Sequence, residues 1–255
     1  MSDWSPASYA RHAGLRLRPA LDLLAQVDEI PAGPVVDLGC GNGGVGPALA
    51  ARFPGRIEGV DASPAMLNEA KATGCYRALS CADIAGWQPE IAPALIFSNA
   101  ALHWLGEHET LLPRLLGLLA PGGVLAVQMP RNHGQPSHRL LREIALAMFP
   151  GRFGTAPPEA PVGTPAEYWR LLAPRAAVSV WETDYLQHLG PAAQGHPVRG
   201  FTESAAMRPW LAPLSPDEAT AFTAAYDAAL AAAYPLLPTG GALFPFRRLF
   251  LVARI

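Results

Sequence analysis

The stretch Val35-Val36-Asp37-Leu38-Gly39-Cys40-Gly41-Asn42-Gly43-Gly44 joins a short apolar run to a chain of glycines. Glycines at such a junction let backbone come close to a ligand at the mouth of the following helix. Gly39, Gly41 and Gly44 also satisfy G-x-G-x-x-G, a spacing shared with dinucleotide enzymes. Three carboxylates narrow the choice. Asp37, two residues before the first glycine, would repel a pyrophosphate and suits a ligand with a cationic amino-acid end. Asp61 ends the next apolar run, about 20 residues on, where a carboxylate can take both hydroxyls of a ribose. In Ala82-Asp83-Ile84 a third carboxylate can accept the amino group of an adenine. A cation, a ribose and an adenine together describe S-adenosylmethionine better than NAD.

A second group lies in Phe97-Ser98-Asn99-Ala100-Ala101-Leu102-His103-Trp104. His103 and Trp104 are the candidate catalytic pair. Trp104 can wall off water, and His103 can hydrogen-bond an acid or serve a hydroxyl substrate as general base, with a pKa near working pH. Cofactor contacts are expected from Asp37, Gly39, Cys40, Gly41, Asn42, Gly43, Asp61, Ala62, Met66, Asp83, Ile84, Asn99 and Ala100. An acidic substrate needs cations, and arginine meets a carboxylate with two parallel bonds. The candidates are the adjacent Arg247 and Arg248, then Arg131 and Arg11, with Tyr9, Asn132 and Tyr185 as further substrate contacts. On an extended segment Arg247 and Arg248 point to opposite faces, so at most one faces the pocket.

These residues must be held by regular elements, and the periodicity supplies them. Apolar runs are expected as strands at Pro34–Gly39, Ile57–Val60, Tyr76–Ser80, Ala94–Ser98 and Val124–Met129. Helices should intervene at 19–28, Val45–Phe53, 63–73 and His108–Leu119, with Pro19 in a first turn and Ser63-Pro64 as cap and first residue. Strand-helix alternation at this spacing gives a parallel sheet covered on both faces. Beyond Pro130 the pattern loosens. Helices are expected near 137–148, 165–172 and 196–213, with a strand at Val178–Leu189. An Ala-rich helix over 216–234 capped by Ser215 follows, then a last strand at Leu249–Ala253.

Composition limits the partners. Of 255 residues, 50% are hydrophobic and 16% charged, enough apolar surface for a substantial core. The net charge of −2 leaves no basic surplus for a phosphate backbone, so nucleic acid is not an expected partner. No apolar run reaches the roughly 20 residues of a membrane helix. Cys40, Cys75 and Cys81 have neither disulfide-framework nor zinc spacing, which fits a reducing cytoplasm and no metal.

Several runs carry a closer likeness. Asp37–Gly43, Gly59-Val60-Asp61-Ala62-Ser63, Ala82-Asp83-Ile84 and Leu119-Ala120-Pro121-Gly122-Gly123 resemble the successive motifs of class I methyltransferases. Asp3-Trp4-Ser5-Pro6-x-x-Tyr9, Phe97–Trp104, Val127-Gln128-Met129-Pro130-x-Asn132, Pro136-Ser137-His138, Trp181-Glu182-Thr183-x-Tyr185 and Leu243–Phe250 resemble the trans-aconitate 2-methyltransferase family. That resemblance implies an α/β, doubly wound Rossmann-like sheet, mostly parallel with its last strand antiparallel, and a helical cap inserted after the fifth strand. It implies one domain over 1–255: lid and helix 1–30, cofactor core 31–130, substrate cap with the sixth strand 131–213, and helix with last strand 214–255. It further implies a cytoplasmic monomer that esterifies a carboxylate of trans-aconitate, or a related small polycarboxylic acid, without metal. S-adenosylhomocysteine is the second product. The chain departs from the family pattern in its Gly41-Asn42-Gly43-Gly44-Val45-Gly46 loop and at His103, where the family carries Gln. The alternative acceptor is another natural-product acid or a hydroxyl, with His103 as base.

Overall fold

A computed structural model describes residues 13–154, 162–203 and 206–255. The order of elements is α1 (Ala13–Ala25), β1 (Val35–Leu38), α2 (Gly46–Arg52), β2 (Ile57–Asp61), α3 (Pro64–Ala72), β3 (Ala78–Cys81), β4 (Leu95–Asn99), a 3-10 turn (Leu102–Trp104), α4 (His108–Gly117) and β5 (Val124–Pro130). Then come α5 (Pro136–Met148), α6 (Pro165–Leu172), β6 (Ala177–Leu189), α7 (Pro197–Thr202), α8 (Arg208–Leu211), α9 (Pro216–Ala233) and β7 (Ala242–Arg254). The strands form one sheet in the order β3-β2-β1-β4-β5-β7-β6. Strands β1 to β5 pair in parallel, and β7 runs antiparallel to β5, from Val124 opposite Arg254 to Pro130 opposite Arg248. Strand order reverses between β1 and β4, and in such sheets the ligand crevice opens at that switch, outside the carboxyl ends.

The described residues divide into two compact units. Of the described residues, the larger comprises 13–130, 162–183 and Arg248–Ile255. Its core sets Val36, Ile96, Leu125 and Val127 of the sheet against Leu111, Leu112, Leu115 and Leu116 of α4. β1 is buried at every position and β5 at every one but the last, which is why both read as continuous apolar runs. The smaller unit comprises, of the described residues, 131–154, 184–203 and 206–247. Phe222, Tyr226 and Leu230 of α9 pack there with Leu141 and Ala145 of α5 and with Phe244 and Phe246. Its longest helix starts on a reciprocal cap: the Ser215 hydroxyl accepts from Glu218 N, and the Glu218 carboxylate accepts from Ser215 N. Among the described residues no helix is long and apolar enough to cross a membrane.

Three expected elements are corrected. α1 begins at Ala13, so Pro19 sits inside the helix and removes one rung of its ladder. Complete burial of Ala20, Leu23 and Val27 outweighs that loss. β3 begins at Ala78, not Tyr76, which leaves the Tyr76 ring free of strand alternation. β7 is far longer than Leu249–Ala253, because its first half alternates buried and exposed positions across Pro245 and lacks a continuous apolar run.

Candidate active site

The glycine loop after β1 is pinned from below. Gly39 N and Cys40 N both donate to Val60 O, at 2.8 and 3.0 Å, and Gly43 N closes a turn on Cys40 O. Gly39 has φ +79, and a Cβ there would stand 2.2 Å from the Ala101 Cβ. The loops that follow β1 and β4 therefore touch only because Gly39 has no side chain. Gly41, at φ +54, is the opposite case: a Cβ there would meet nothing within 4 Å.

Asp61 ties this loop to the next one. Its Oδ2 accepts from Gly41 N and its Oδ1 from Ser63 N, both at 2.9 Å. Each carboxylate oxygen has about two acceptor positions, so one on each remains for a hydroxyl. Ser63 caps α3 by accepting from Met66 N, which fixes Ala62 and Met66 beside Asp61. Asp37 is only 2% exposed, and the Tyr76 hydroxyl donates to its Oδ2 at 2.7 Å. Burial pushes the Asp37 carboxyl up to about 7; the Tyr76 bond pulls it down and the Asp61 charge adds to the rise. Burial likewise pushes the Cys40 thiol up, so Cys40 serves the loop through its backbone and its packing on Leu67 and Ala70. Asn42 is half-buried on the same loop. Asp83 is exposed and accepts from Ala85 N at 2.9 Å, while Arg114 donates to the carbonyls of Ile84 and Trp87 and so fixes this turn.

A second cluster lies at the ends of β4, β5 and β7. Ala100 takes φ +53, a left-handed conformation that costs a non-glycine residue about 1 kcal/mol. Its N–H donates to Gln128 O. Gln128 is fully buried, and its Oε1 accepts from Arg248 Nη1 at 3.3 Å. Arg248 is itself 5% exposed. Among the described residues, Asn99 Oδ1, His103 Nδ1 and Gln128 Nε2 are buried polar atoms without a hydrogen-bond partner. Such atoms are costly unless a ligand or water reaches them. Trp104 is 62% exposed, with its ring 4.6 Å from that of His103.

His103 does not meet the expectation of a near-neutral pKa. Burial, then the charges of Arg248 and His108, bring it down to about 3. The imidazole is thus neutral at physiological pH and too weak a base for a hydroxyl substrate.

The smaller unit holds the other sequence candidates. Arg131 N donates to Arg247 O, and Asn132 Oδ1 accepts from Arg247 N, at 3.0 and 2.9 Å. The Arg247 guanidinium meets Asp184 through two bonds of 2.8 Å, which holds the Asp184 carboxyl below its usual value. Tyr185 follows on β6, half-buried. The alternation expected of Arg247 and Arg248 thus gives one an acidic partner and places the other near His103. Tyr9 and Arg11 lie outside the described residues.

Residues 35–123 match a family described as a methyltransferase domain. A trans-aconitate 2-methyltransferase of Methylobacterium radiotolerans is 45% identical over 260 residues, covering 100% of this chain and 99% of that one. Another, of Paracidovorax citrulli, is 46% identical over 264 residues with the same coverage. The chain belongs to the trans-aconitate 2-methyltransferase family. It is accordingly a methyltransferase. A solved phosphoethanolamine N-methyltransferase 2 of Haemonchus contortus, in complex with phosphomonomethylethanolamine and S-adenosylhomocysteine, superposes with a TM-score of 0.54 at 16% identity. It covers 93% of this chain and 52% of that one, and the likeness is one of fold: the class I methyltransferase sheet.

Within this methyltransferase, reading the sequence missed Tyr76 and Gln128. Gln128 left a signal, as the one polar residue inside the apolar Val124–Met129 run, where an amide must find partners. Tyr76 left none. Asp61 can be tested directly. Asp61→Asn keeps the shape but replaces an acceptor oxygen by a donor, and S-adenosylhomocysteine should bind about tenfold to a hundredfold more weakly by calorimetry. Unaltered affinity would remove Asp61 from the site.

Proposed function

We propose that this enzyme transfers a methyl group from S-adenosylmethionine to a carboxylate of trans-aconitate, giving the monomethyl ester and S-adenosylhomocysteine. The acceptor rests on one observation above the others. Identity to enzymes named for trans-aconitate runs the full length of the chain, well past the 35–123 stretch that matches the general methyltransferase domain.

The donor set suits the cofactor: carboxylates at Asp37 and Asp61, an open approach at Gly41, and an unpartnered buried acceptor at Asn99 Oδ1. S-adenosylmethionine, when bound, supplies an electrophilic sulfonium methyl. The protein's part would be to hold a carboxylate oxygen in line with that carbon, so that the C–O bond formed would replace the C–S bond broken and the electron pair would leave with sulfur. The acceptor is already ionised at neutral pH, so no base is required. His103, held neutral, is a hydrogen-bonding group here and not a proton carrier. Arg248 is the buried cation that orients the acid, and Gln128 holds its guanidinium. The enzyme works as a monomer in a reducing cytoplasm, in keeping with its free cysteines.

Turnover of trans-aconitate, cis-aconitate, isopropylmalate and a phenolic acceptor, followed by S-adenosylhomocysteine release and ester mass, tests this reading. trans-Aconitate should have the highest kcat/KM. If no polycarboxylate is esterified, the proposal fails. At saturating substrates kcat should show no histidine break between about pH 6 and 9, since His103 titrates near 3. A break near 6.5 in the parent that vanishes in His103→Gln would contradict the neutral role.

A further inference from the structure

Tyr76 lies between α3 and β3, outside both, yet its hydroxyl ends 2.7 Å from a carboxylate in the middle of the sheet. Two glycines make room for the ring. A Cβ at Gly46, the first residue of α2, would stand 2.9 Å from both Cε2 and the hydroxyl oxygen of Tyr76. A Cβ at Gly59 would stand 3.0 Å from its Cδ1, and Gly59 is the residue that pairs with Asp37 across β1 and β2. A separation of 2.9 Å is not met by real side chains without displacement, and one of 3.0 Å obliges the neighbour to give by a few tenths of an ångström. Both elements therefore leave a slot that the aromatic ring fills, against Cys40, Leu67 and Ala70.

What the slot delivers is a neutral donor. A buried carboxylate needs hydrogen bonds, but a lysine or arginine would also cancel its charge. The groups acting on Asp37 are the Tyr76 hydroxyl, the Asp61 carboxylate at the end of β2 and, by its own response, the Cys40 thiol; Cys75 stands beside Tyr76. None of these is basic. Among the described residues, then, no cation cancels the Asp37 charge.

We infer that Tyr76 is a positioning residue of the methyl-donor site, holding one oxygen of Asp37 so that its negative charge meets the cationic amino-acid end of the cofactor. The inference rests on the donor half of the proposed function and is independent of the acceptor. It has a thermodynamic signature. In the free protein Asp37 titrates near 7, so binding of a cation below that pH must displace a proton. Affinity then rises about tenfold per pH unit up to the break and levels above it. The Tyr76 bond is what pulls that break down, and burial pushes the Tyr76 hydroxyl itself upward, so it stays a donor throughout.

The experiment is calorimetric titration of the full chain with S-adenosylhomocysteine from pH 5.5 to 9, for the parent, Tyr76→Phe, Gly46→Ala and Asp37→Asn. The parent profile should break near 7. Tyr76→Phe should bind about fivefold more weakly at pH 7 and about tenfold below pH 6, with its break moved up by about one unit and affinity recovered by pH 9. Gly46→Ala, which displaces the ring, should follow Tyr76→Phe, and Asp37→Asn should be weak and flat. A Tyr76→Phe profile that matches the parent, or is weaker by one factor at every pH, would overturn the positioning role. Parent-like affinity in Asp37→Asn would remove Asp37 and the inference with it. Normal profiles in an enzyme that esterifies no polycarboxylate would sink the acceptor reading alone.

Discussion

Asp37→Asn should yield a protein that is more stable than its parent and can no longer hold the methyl donor well. The free carboxyl titrates at about 7 in the folded chain and at 3.8 as an ordinary aspartate. An acid whose folded value is raised binds its proton more tightly when folded. Stability is therefore lost as pH rises from about 4 to 7, and the deficit persists above 7, where both states are ionised. At 1.36 kcal/mol per unit, the displacement corresponds to about 4 kcal/mol. The amide NH₂ introduced by the variant takes back about 1–3 kcal/mol if it finds no acceptor. A net gain of about 2 kcal/mol at pH 8 follows, absent below about pH 3, where the parent carboxyl is protonated in both states. Thermal unfolding without ligand should show a Tm about 4–8 °C higher at pH 8 for a chain of this size. Affinity for S-adenosylhomocysteine should meanwhile fall about a hundredfold. An unfolding temperature below the parent's at pH 8 would mean that Asp37 is structural, held ionised by a favourable environment.

The second large effect concerns the two adjacent arginines. Arg248→Met removes a buried guanidinium while preserving the packing of its stem. KM for trans-aconitate should rise about a hundredfold or more, because a charge-assisted bidentate contact contributes about 3 kcal/mol in a dry site. S-adenosylhomocysteine affinity should stay put, and the fold should lose at most about 1–3 kcal/mol, the cost of leaving the buried Gln128 Oε1 without its donor, offset in part by removal of a buried charge. Arg247→Met should behave differently. Its partner Asp184 is 43% exposed, so the loss is that of a partly screened pair, about 1 kcal/mol of stability, with KM changed only a few-fold. Equal damage to KM from both substitutions would reject Arg248 as the acid-binding cation.

Much of this site could be read from the chain before any coordinates. Strands β1, β2, β4 and β5 announce themselves because the buried centre of a parallel sheet covered on both faces needs apolar runs, whereas β3 is mostly exposed and begins later than its pattern suggests. Asp37 and Asp61 stand out as charges closing or interrupting those runs. Ser63-Pro64 and Ser215 mark helix starts because capping is local chemistry. The features that escaped depend on contacts far along the chain. Tyr76 reaches Asp37 through space left by two missing Cβ atoms, and no spacing rule records a void. The low pKa of His103 comes from burial together with Arg248 on β7, so residue type alone suggested too high a value. β7 hid its length behind Pro245, because an alternating strand with a proline resembles a loop.

The antiparallel pairing of β5 with β7 also orders events during synthesis. β5 emerges from the ribosome more than a hundred residues before the strand that covers its edge. At typical elongation rates that interval is about 5–25 s, during which a buried apolar strand presents unpaired backbone groups. The glycine loop, Asp37 and Asp61 can already be assembled by then, since all their partners precede β5. The guanidinium beside His103 arrives only with β7. On the roles proposed for Asp61 and Arg248, a nascent chain would gain its nucleoside-binding group before its acid-binding one, and it would be most prone to aggregate in that same interval.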